Sequence, residues 1–508
     1  MLISTIEKYF ELIHFQYDSM KFRKALLGSP YYPTLYSLYN ALHYVNSPLQ
    51  IQRLSIETLQ KESSCFLVHI NISSREIITI ARWNKTKDKI SLFSLSKNKW
   101  ANMELNHFKR IWNGVAITQP QNTTHVSHIS YSLILIILFF LTIGLTAILS
   151  HSSHFWLLMP IMIGLTLSIW PIHQIYYKYT DFHNLLCNSI SYSNCNEVMT
   201  SKYGSIFGMS LLGASASFFS SQLIVCLLSS PQSLPISVHS IYLFSTIILI
   251  PLSLYSLTTQ IKQKTVCPIC IIILGCLASE VALYIINIPQ TISLPIILKW
   301  SVIEVACLLL FEQIIKQRKK SIRLENEVIN LSRLKRNKQV VKAISSPLKI
   351  DSPCKELMIH SKRNGSKPKL TVFLSPSCSH CKKMMLDLLE LQETGKIHFD
   401  LNIILGESRK EDRIIIYNII RSHILSPDKL RFLIKEDFYK ISQEKIDESS
   451  LISEKISDYI EYFKNVIINN KIQSYPRLAI DGLLLPDFYT AEDMELWLLD
   501  NLNQSDNK

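Results

Sequence analysis

The chain has 508 residues, enough for several domains, and its 48% hydrophobic content averages over two regimes. Residues 131–315 carry almost no charge while the flanking segments carry ordinary amounts, which excludes a single water-soluble globule. The net charge of +13 does not mark a nucleic-acid binder, because much of the excess is one run after the last apolar segment and no aromatic residues interleave with it.

Residues 2–15 and 35–45 read as amphipathic helices. Residues 65–70, 76–82 and 89–95 read as strands in which β-branched and polar residues alternate. Residues 1–118 are therefore expected to form a soluble α+β domain, followed by a polar linker at 119–130. The first twenty residues contain Glu7, Lys8, Glu11 and Asp18 and no long apolar core, which argues against a cleavable signal peptide.

Six apolar runs follow, at about 131–150, 155–176, 204–229, 238–259, 267–288 and 294–315. Each is long enough to cross a hydrocarbon layer of ~30 Å at 1.5 Å per residue. An all-α membrane bundle of six helices over 131–315 is the expectation. A basic connector then occupies 316–365, helical as far as about 345. It carries Lys316, Arg318, Lys319, Lys320, Arg323, Arg333, Lys335, Arg336 and Lys338, a run suited to lipid headgroups. Residues 366–505 alternate strand and helix: strand 370–374, a helix after Cys378, strand 398–405, a helical stretch to about 470, strands 477–480 and 483–485, and helix 491–502. That order suits an α/β domain with a helical insertion.

Eleven cysteines are present. Two pairs have C-x-x-C spacing without the flanking ligands of a zinc site, so no metal is expected. The first, Ser-Pro-Ser-Cys-Ser-His-Cys at 375–381, lies between a strand and a helix. A cysteine at a helix N-terminus faces unpaired N–H groups and the positive end of the helix dipole, which favours its thiolate. Cys378 is thus the expected nucleophile and Cys381 the buried resolving thiol, with His380 between them. Farther on comes Ser-Tyr-Pro-Arg-Leu-Ala-Ile, which contains Pro476. The two motifs in this order resemble the thioredoxin family, whose active-site disulfide faces a cis-proline just before a strand. The Ser-His dipeptide departs from the family's commoner Pro-His or Gly-Pro.

The second C-x-x-C, Cys267-Pro-Ile-Cys270, opens an apolar helix. Cys187 and Cys195 lie in the polar loop between the second and third apolar runs, and Ser201 follows six residues later. This set resembles the vitamin K epoxide reductase family over residues 155–290. The resemblance implies a four-helix redox core and a quinone, menaquinone or ubiquinone, as electron acceptor. It also implies an order of exchange. A substrate thiol reduces Cys378–Cys381, that pair reduces the loop pair through Cys187, Cys195 exchanges with Cys267, and Cys270 delivers electrons to the quinone. Ser201 becomes a candidate for positioning the quinone headgroup or for a plain loop cap. Some family members carry a quinone-binding tyrosine four residues after the C-x-x-C, where this chain has Leu274. A thioredoxin-like domain fused after one more span is an arrangement of the bacterial branch.

Cys226, Cys276 and Cys307 read as packing residues, and Cys65 and Cys354 have no diagnostic spacing. Glu280 and Glu304 are intramembrane carboxylates, functional candidates or neutral acids bonded inside the bundle.

Leu27-Gly-Ser-Pro-Tyr-Tyr-Pro-Thr-Leu-Tyr-Ser-Leu-Tyr-Asn-Ala-Leu and Ile111-Trp-Asn-Gly-Val resemble segments of the papain-like peptidase domain that trims double-glycine leaders. No cysteine precedes Cys65, and His69 lies ahead of the strand where the family's base belongs. The resemblance therefore implies a degenerate, peptide-binding domain rather than a protease.

With six spans, all three cysteine pairs and both soluble segments share one side. Lys178, Lys202, Lys262, Lys264 and the basic connector lie on that side, so the positive-inside rule points to the cytoplasm. Disulfide chemistry and the resemblance point to the exported side of an inner or plasma membrane, which is the expectation adopted. The expected function is disulfide formation in exported proteins or peptides. The competing expectation is a scaffold of an export system that binds exported peptides, with redox activity secondary.

Overall fold

The computed structural model describes residues 2–119, 158–177, 205–350, 357–425, 431 and 450–502, less 14, 62–64, 73–74, 85–88, 95–98, 207, 230–232, 264–265, 287–291, 362–366 and 396. Cys187, Cys195, Ser201, Cys354 and the apolar run 131–150 lie outside the described residues.

In chain order, helices α1 (Leu2–Leu12), α2 (Ser19–Leu27) and α3 (Leu35–Tyr44) precede strand β1 (Gln50–Arg53) and helix α4 (Ile56–Lys61). Strands β2 (Cys65–Ile72), β3 (Arg75–Trp83), β4 (Lys89–Ser94) and β5 (Lys99–Glu104) follow, then α5 (Leu105–Ile111) and β6 (Trp112–Thr118). Next come α6 (Met159–Tyr177), a small hairpin of β7 (Ser205–Ile206) and β8 (Met209–Ser210), and α7 (Leu211–Leu228), α8 (Leu234–Gln263), α9 (Pro268–Ile286) and α10 (Leu294–Arg336). The remainder is α11 (Lys338–Ile344), β9 (Ser346–Pro347), β10 (Leu357–Ile359), β11 (Lys369–Leu374), α12 (Ser379–Glu393), β12 (Asp400–Leu405), α13 (Asp412–Leu425), α14 (Ser450–Asn469), β13 (Arg477–Ile480), β14 (Leu483–Leu484) and α15 (Ala491–Leu502).

Two compact units emerge: residues 55–114 with 121–326, and residues 1–54 with 115–120 and 327–508. In the former, β2, β3, β4 and β5 form an antiparallel meander, with Cys65 opposite Arg82 and His69 opposite Ile78. The apolar helices belong to the same unit. Helices α7, α8, α9 and α10 are long and apolar enough to cross a bilayer, and α6 adds a shorter apolar stretch at Met159–Ile169. Their outward faces are oily. On α8, Ile247, Ile250, Leu254, Leu257 and Ile261 are all more than half exposed, as lipid contact requires. Helix α6 packs on α7 and α9, and α8 on α9. Gly164 permits the first of these contacts. A Cβ there would stand 2.4 Å from the Phe219 ring, so a larger residue must push the two helices apart.

Within the other unit, β11 and β12 run parallel, joined by α12, and β13 and β14 add antiparallel to the β11 side. The sheet order is β10-β12-β11-β13-β14-β9. A β-α-β unit extended by a β-hairpin and closed by a final helix is the thioredoxin fold. Leu370, Val372, Phe373 and Leu374 from β11, covered on both faces, and Met385, Leu388 and Leu389 from α12 are fully buried. Each contributes on the order of 1.5–3 kcal/mol. The helical insertion consists of α13 and α14, which pack on each other.

The basic run divides in two. Lys316, Lys319, Lys320 and Arg323 are exposed on α10, as headgroup contacts require. Its end behaves otherwise. Arg336 is buried and its Nε donates to Asp500 Oδ2 at 2.7 Å, while Nη1 donates to the carbonyls of Lys24 and Ala25. Asp500 Oδ1 accepts from Ser29 Oγ and Asn40 Nδ2. Arg333 donates to the Leu27 carbonyl, and Lys335 pairs with Asp493 at 2.7 Å. These three cations tie α2, α3 and α15 to the end of α10 rather than facing lipid.

Candidate redox sites

Cys378 is the N-cap of α12, and its sulfur accepts from the Cys381 N–H at 3.3 Å. Its thiol also donates to the Tyr475 carbonyl at 3.9 Å. The Tyr475–Pro476 peptide is cis, so Pro476 sits where the chain turns into β13 beside the cysteine. Cys378 is half-buried, His380 exposed, and Cys381 buried with the Ser375 N–H directed at its sulfur. Burial, then the contact with Cys378, pushes the Cys381 thiol up to about 12. It therefore stays protonated at neutral pH, while the more accessible Cys378 sulfur receives the hydrogen bond that a thiolate needs.

Asp412, buried at the start of α13, holds the approach to this helix. It accepts from Ser375 Oγ, from the Ser377 N–H and Oγ, and from the backbone N–H groups of Ser408 and Arg409. Burial works to raise its carboxyl, but the Ser408 and Arg409 N–H groups and the two serines outweigh it and hold the group below the usual range. Sequence reasoning missed Asp412, since thirty-one residues separate it from Cys381 and no local pattern links them. Gly406 is needed nearby. A Cβ there would lie 2.0 Å from Tyr475 Oη.

The second C-x-x-C repeats the backbone device. Cys267 immediately precedes α9, and its sulfur accepts from the Cys270 N–H at 3.3 Å. The two sulfurs are 2.7 Å apart. Gln260 Oε1 accepts from the Cys267 N–H at 2.9 Å, a partner that sequence spacing gave no reason to expect. Burial is inverted relative to the first site. Here the leading cysteine is buried and the second, Cys270, lines a cavity of about 270 Å³. Its walls are mostly apolar, including Leu212, Phe218, Phe219, Ile248, Leu252 and Leu274, with Tyr255, Ser256, Thr259 and Glu304 as the principal polar groups. A largely apolar slot with a few polar groups beside a thiol fits a quinone ring, which is flat, oily and polar only at its two oxygens. Leu274 occupies the wall of this cavity without a hydroxyl to offer.

Glu280 is buried and Glu304 half-buried, and each is held by hydrogen bonds. Glu280 accepts from Ser245 and from Gln222 Nε2, and Glu304 accepts from Ser217 and Ser221. No group of side chains suited to a metal occurs among the described residues. In the meander, the His69 ring bonds to Asn113 and lies 3.6 Å from Glu76. Burial pushes the Cys65 thiol up to about 11, the opposite of an activated nucleophile.

A thioredoxin fold with C-x-x-C facing a cis-proline, and a second C-x-x-C within apolar helices, define a membrane thiol–disulfide oxidoreductase. Residues 155–285 match the model of the Vitamin K epoxide reductase family. No curated protein matches the chain. Among solved structures, the chain is similar to a periplasmic thioredoxin-like protein from Salmonella enterica serovar Typhimurium, at 16% identity over 30% of this chain and 92% of that one, with a TM-score of 0.25. The catalytic domain of Proteus mirabilis ScsC gives 15% identity over 30% and 93%, with a TM-score of 0.24. Oxidised BdbD from Bacillus subtilis gives 12% identity over 30% and 97%, with a TM-score of 0.24.

Proposed function

We propose that the protein forms disulfides in exported proteins or peptides and passes the electrons through three cysteine pairs to a quinone. The observation that carries this reading is the pair of C-x-x-C sites built alike but buried in opposite senses. At the thioredoxin-like site the leading sulfur of Cys378 is the more accessible one, suited to attack by a bulky substrate thiol. At the membrane site the second sulfur, Cys270, faces a cavity suited to a small apolar acceptor.

Exchange begins when a substrate thiolate attacks Cys378 of the Cys378–Cys381 disulfide and Cys381 leaves. A second substrate thiol then displaces Cys378, which releases the oxidised substrate. The resulting dithiol reduces Cys187–Cys195, and that pair reduces Cys267–Cys270. The quinone supplies the two-electron sink, with Ser201 proposed to position its headgroup. Pro476 is proposed to keep the Cys378 sulfur open to an extended peptide by presenting the Tyr475 carbonyl beside it.

The test is full-length protein in lipid nanodiscs with a reduced dithiol peptide and decylubiquinone. Coupled peptide oxidation and quinone reduction are expected, with both lost in Cys378→Ser and in Cys270→Ser. Peptide oxidation that persists undiminished in Cys378→Ser would sink the relay. Retained peptide binding by that inactive variant would show that capture and chemistry are separate.

A further inference from the structure

One wall of the cavity comes from outside the segment that matches the family model. That match ends at residue 285, yet Glu304, on α10, lines the same cavity as Cys270. Its carboxyl group is clamped from behind. Ser217 Oγ donates to Oε1 at 2.8 Å and Ser221 Oγ donates to Oε2 at 2.6 Å. The two serines are four residues apart on α7, hence on one helix face, and each hydroxyl lies between Glu304 and a backbone carbonyl of the preceding turn, that of Ala214 for Ser217 and of Phe218 for Ser221. Glu280 is held by Ser245 and Gln222, and Glu312 accepts from the Ser210 N–H; neither is among the cavity's lining residues. Glu304 is thus the one carboxyl group, among the described residues, that meets both the cavity and a fixed pair of donors.

We propose that Glu304 is a catalytic acid of the final step, handing its proton to the acceptor oxygen in the cavity. This rests on the quinone reading above. Cys267 and Cys270 lose two electrons and two protons and join through an S–S bond. Two electrons and two protons enter the acceptor, one proton at each oxygen. Cys270 and Glu304 line the same cavity, so the thiol donates electrons there and Glu304 supplies one of the two protons. The Glu304 carboxylate then takes up a proton released by the thiols, so the group ends the cycle as it began. Ser217 and Ser221 keep the carboxyl fixed through both states, because a hydroxyl donates to either form.

The experiment compares wild type, Glu304→Gln and Glu304→Asp as full-length protein in nanodiscs with decylubiquinone. In Glu304→Gln the kcat for quinone reduction is expected to fall on the order of 10²-fold with KM little changed, the size of a lost general acid. Glu304→Asp should recover part of the rate, which a merely misfolded site would not. Infrared difference spectra read the group itself. Adding the quinone to wild type should perturb a carboxyl C=O band that Glu304→Gln lacks. Wild-type turnover with an unimpaired Glu304→Gln, or a band unmoved by quinone, overturns this inference alone. A wild type that leaves the quinone oxidised overturns the quinone reading and this inference with it.

Discussion

Five hydrogen bonds converge on Asp412, and their pH dependence follows from the sign of its shift. The folded carboxyl titrates below its unfolded value, so its contribution is complete above about pH 5 and is lost as pH falls through the folded value. Wild type should therefore lose more stability than Asp412→Asn between about pH 5 and pH 2, as read by denaturant unfolding. Equal pH slopes would refute the role given to this residue. Arg336→Ala leaves Asp500 buried with only Ser29 and Asn40 as side-chain partners, and a cost of about 3–5 kcal/mol is expected. Legibility at this scale was uneven. The cysteines announce themselves by spacing and Pro476 by its place before a strand. Asp412, Gln260 and Arg336 do not, because their partners are distant in the chain and only the fold brings them together. Arg336 was read with a lipid-facing run because charge in a sequence says nothing about which cation finds a carboxylate.

Elements were more legible than side chains. The strand at 477–480, a short apolar run buried on both faces, and the amphipathic helix 491–502 fall where the sequence places them. Strands β9 and β10 escaped notice because two or three residues cannot establish a period. Helix α10 carries the helical connector straight on from the last apolar run. Hydropathy changes sharply at residue 316, but no glycine or proline occurs between Pro295 and Pro347, so the backbone has no reason to break there. The helix runs on for 43 residues and ends only where Asn337 caps the next one. Its apolar half makes its own prediction. Val302 is 71% exposed, so Val302→Arg places a charge against lipid and should disfavour insertion by roughly 2.5–3.5 kcal/mol. Glycosylation mapping of the spans would measure it, and unchanged insertion would mean that this face is covered by protein.

For the whole molecule the open quantity is sidedness. Apolar length gives spans, and charge gives an orientation that the proposed chemistry contradicts. A membrane-impermeant maleimide applied to intact cells after mild reduction reads it directly at Cys378, which is half-buried but sits at an accessible helix start. Labelling in intact cells, absent from Cys378→Ser, is expected for a protein that oxidises exported thiols. Labelling only after lysis would place the thioredoxin-like domain in the cytoplasm and remove exported substrates from the proposal. The class of fold was legible because two architectures with opposite solvent demands leave opposite compositions. Contacts such as Lys24–Glu492, which join the two ends of the chain, have no sequence signature.

The inverted burial of the two C-x-x-C sites acts as a sieve. A thiol carried by an entire polypeptide meets Cys378 at the surface of its domain, whereas Cys270 deals only with what fits a hole of about 270 Å³. A bulky, charged oxidant or reductant such as glutathione is expected to fit that apolar hole poorly. On the proposed relay, selectivity at that end would then be set by geometry before any difference in potential is consulted.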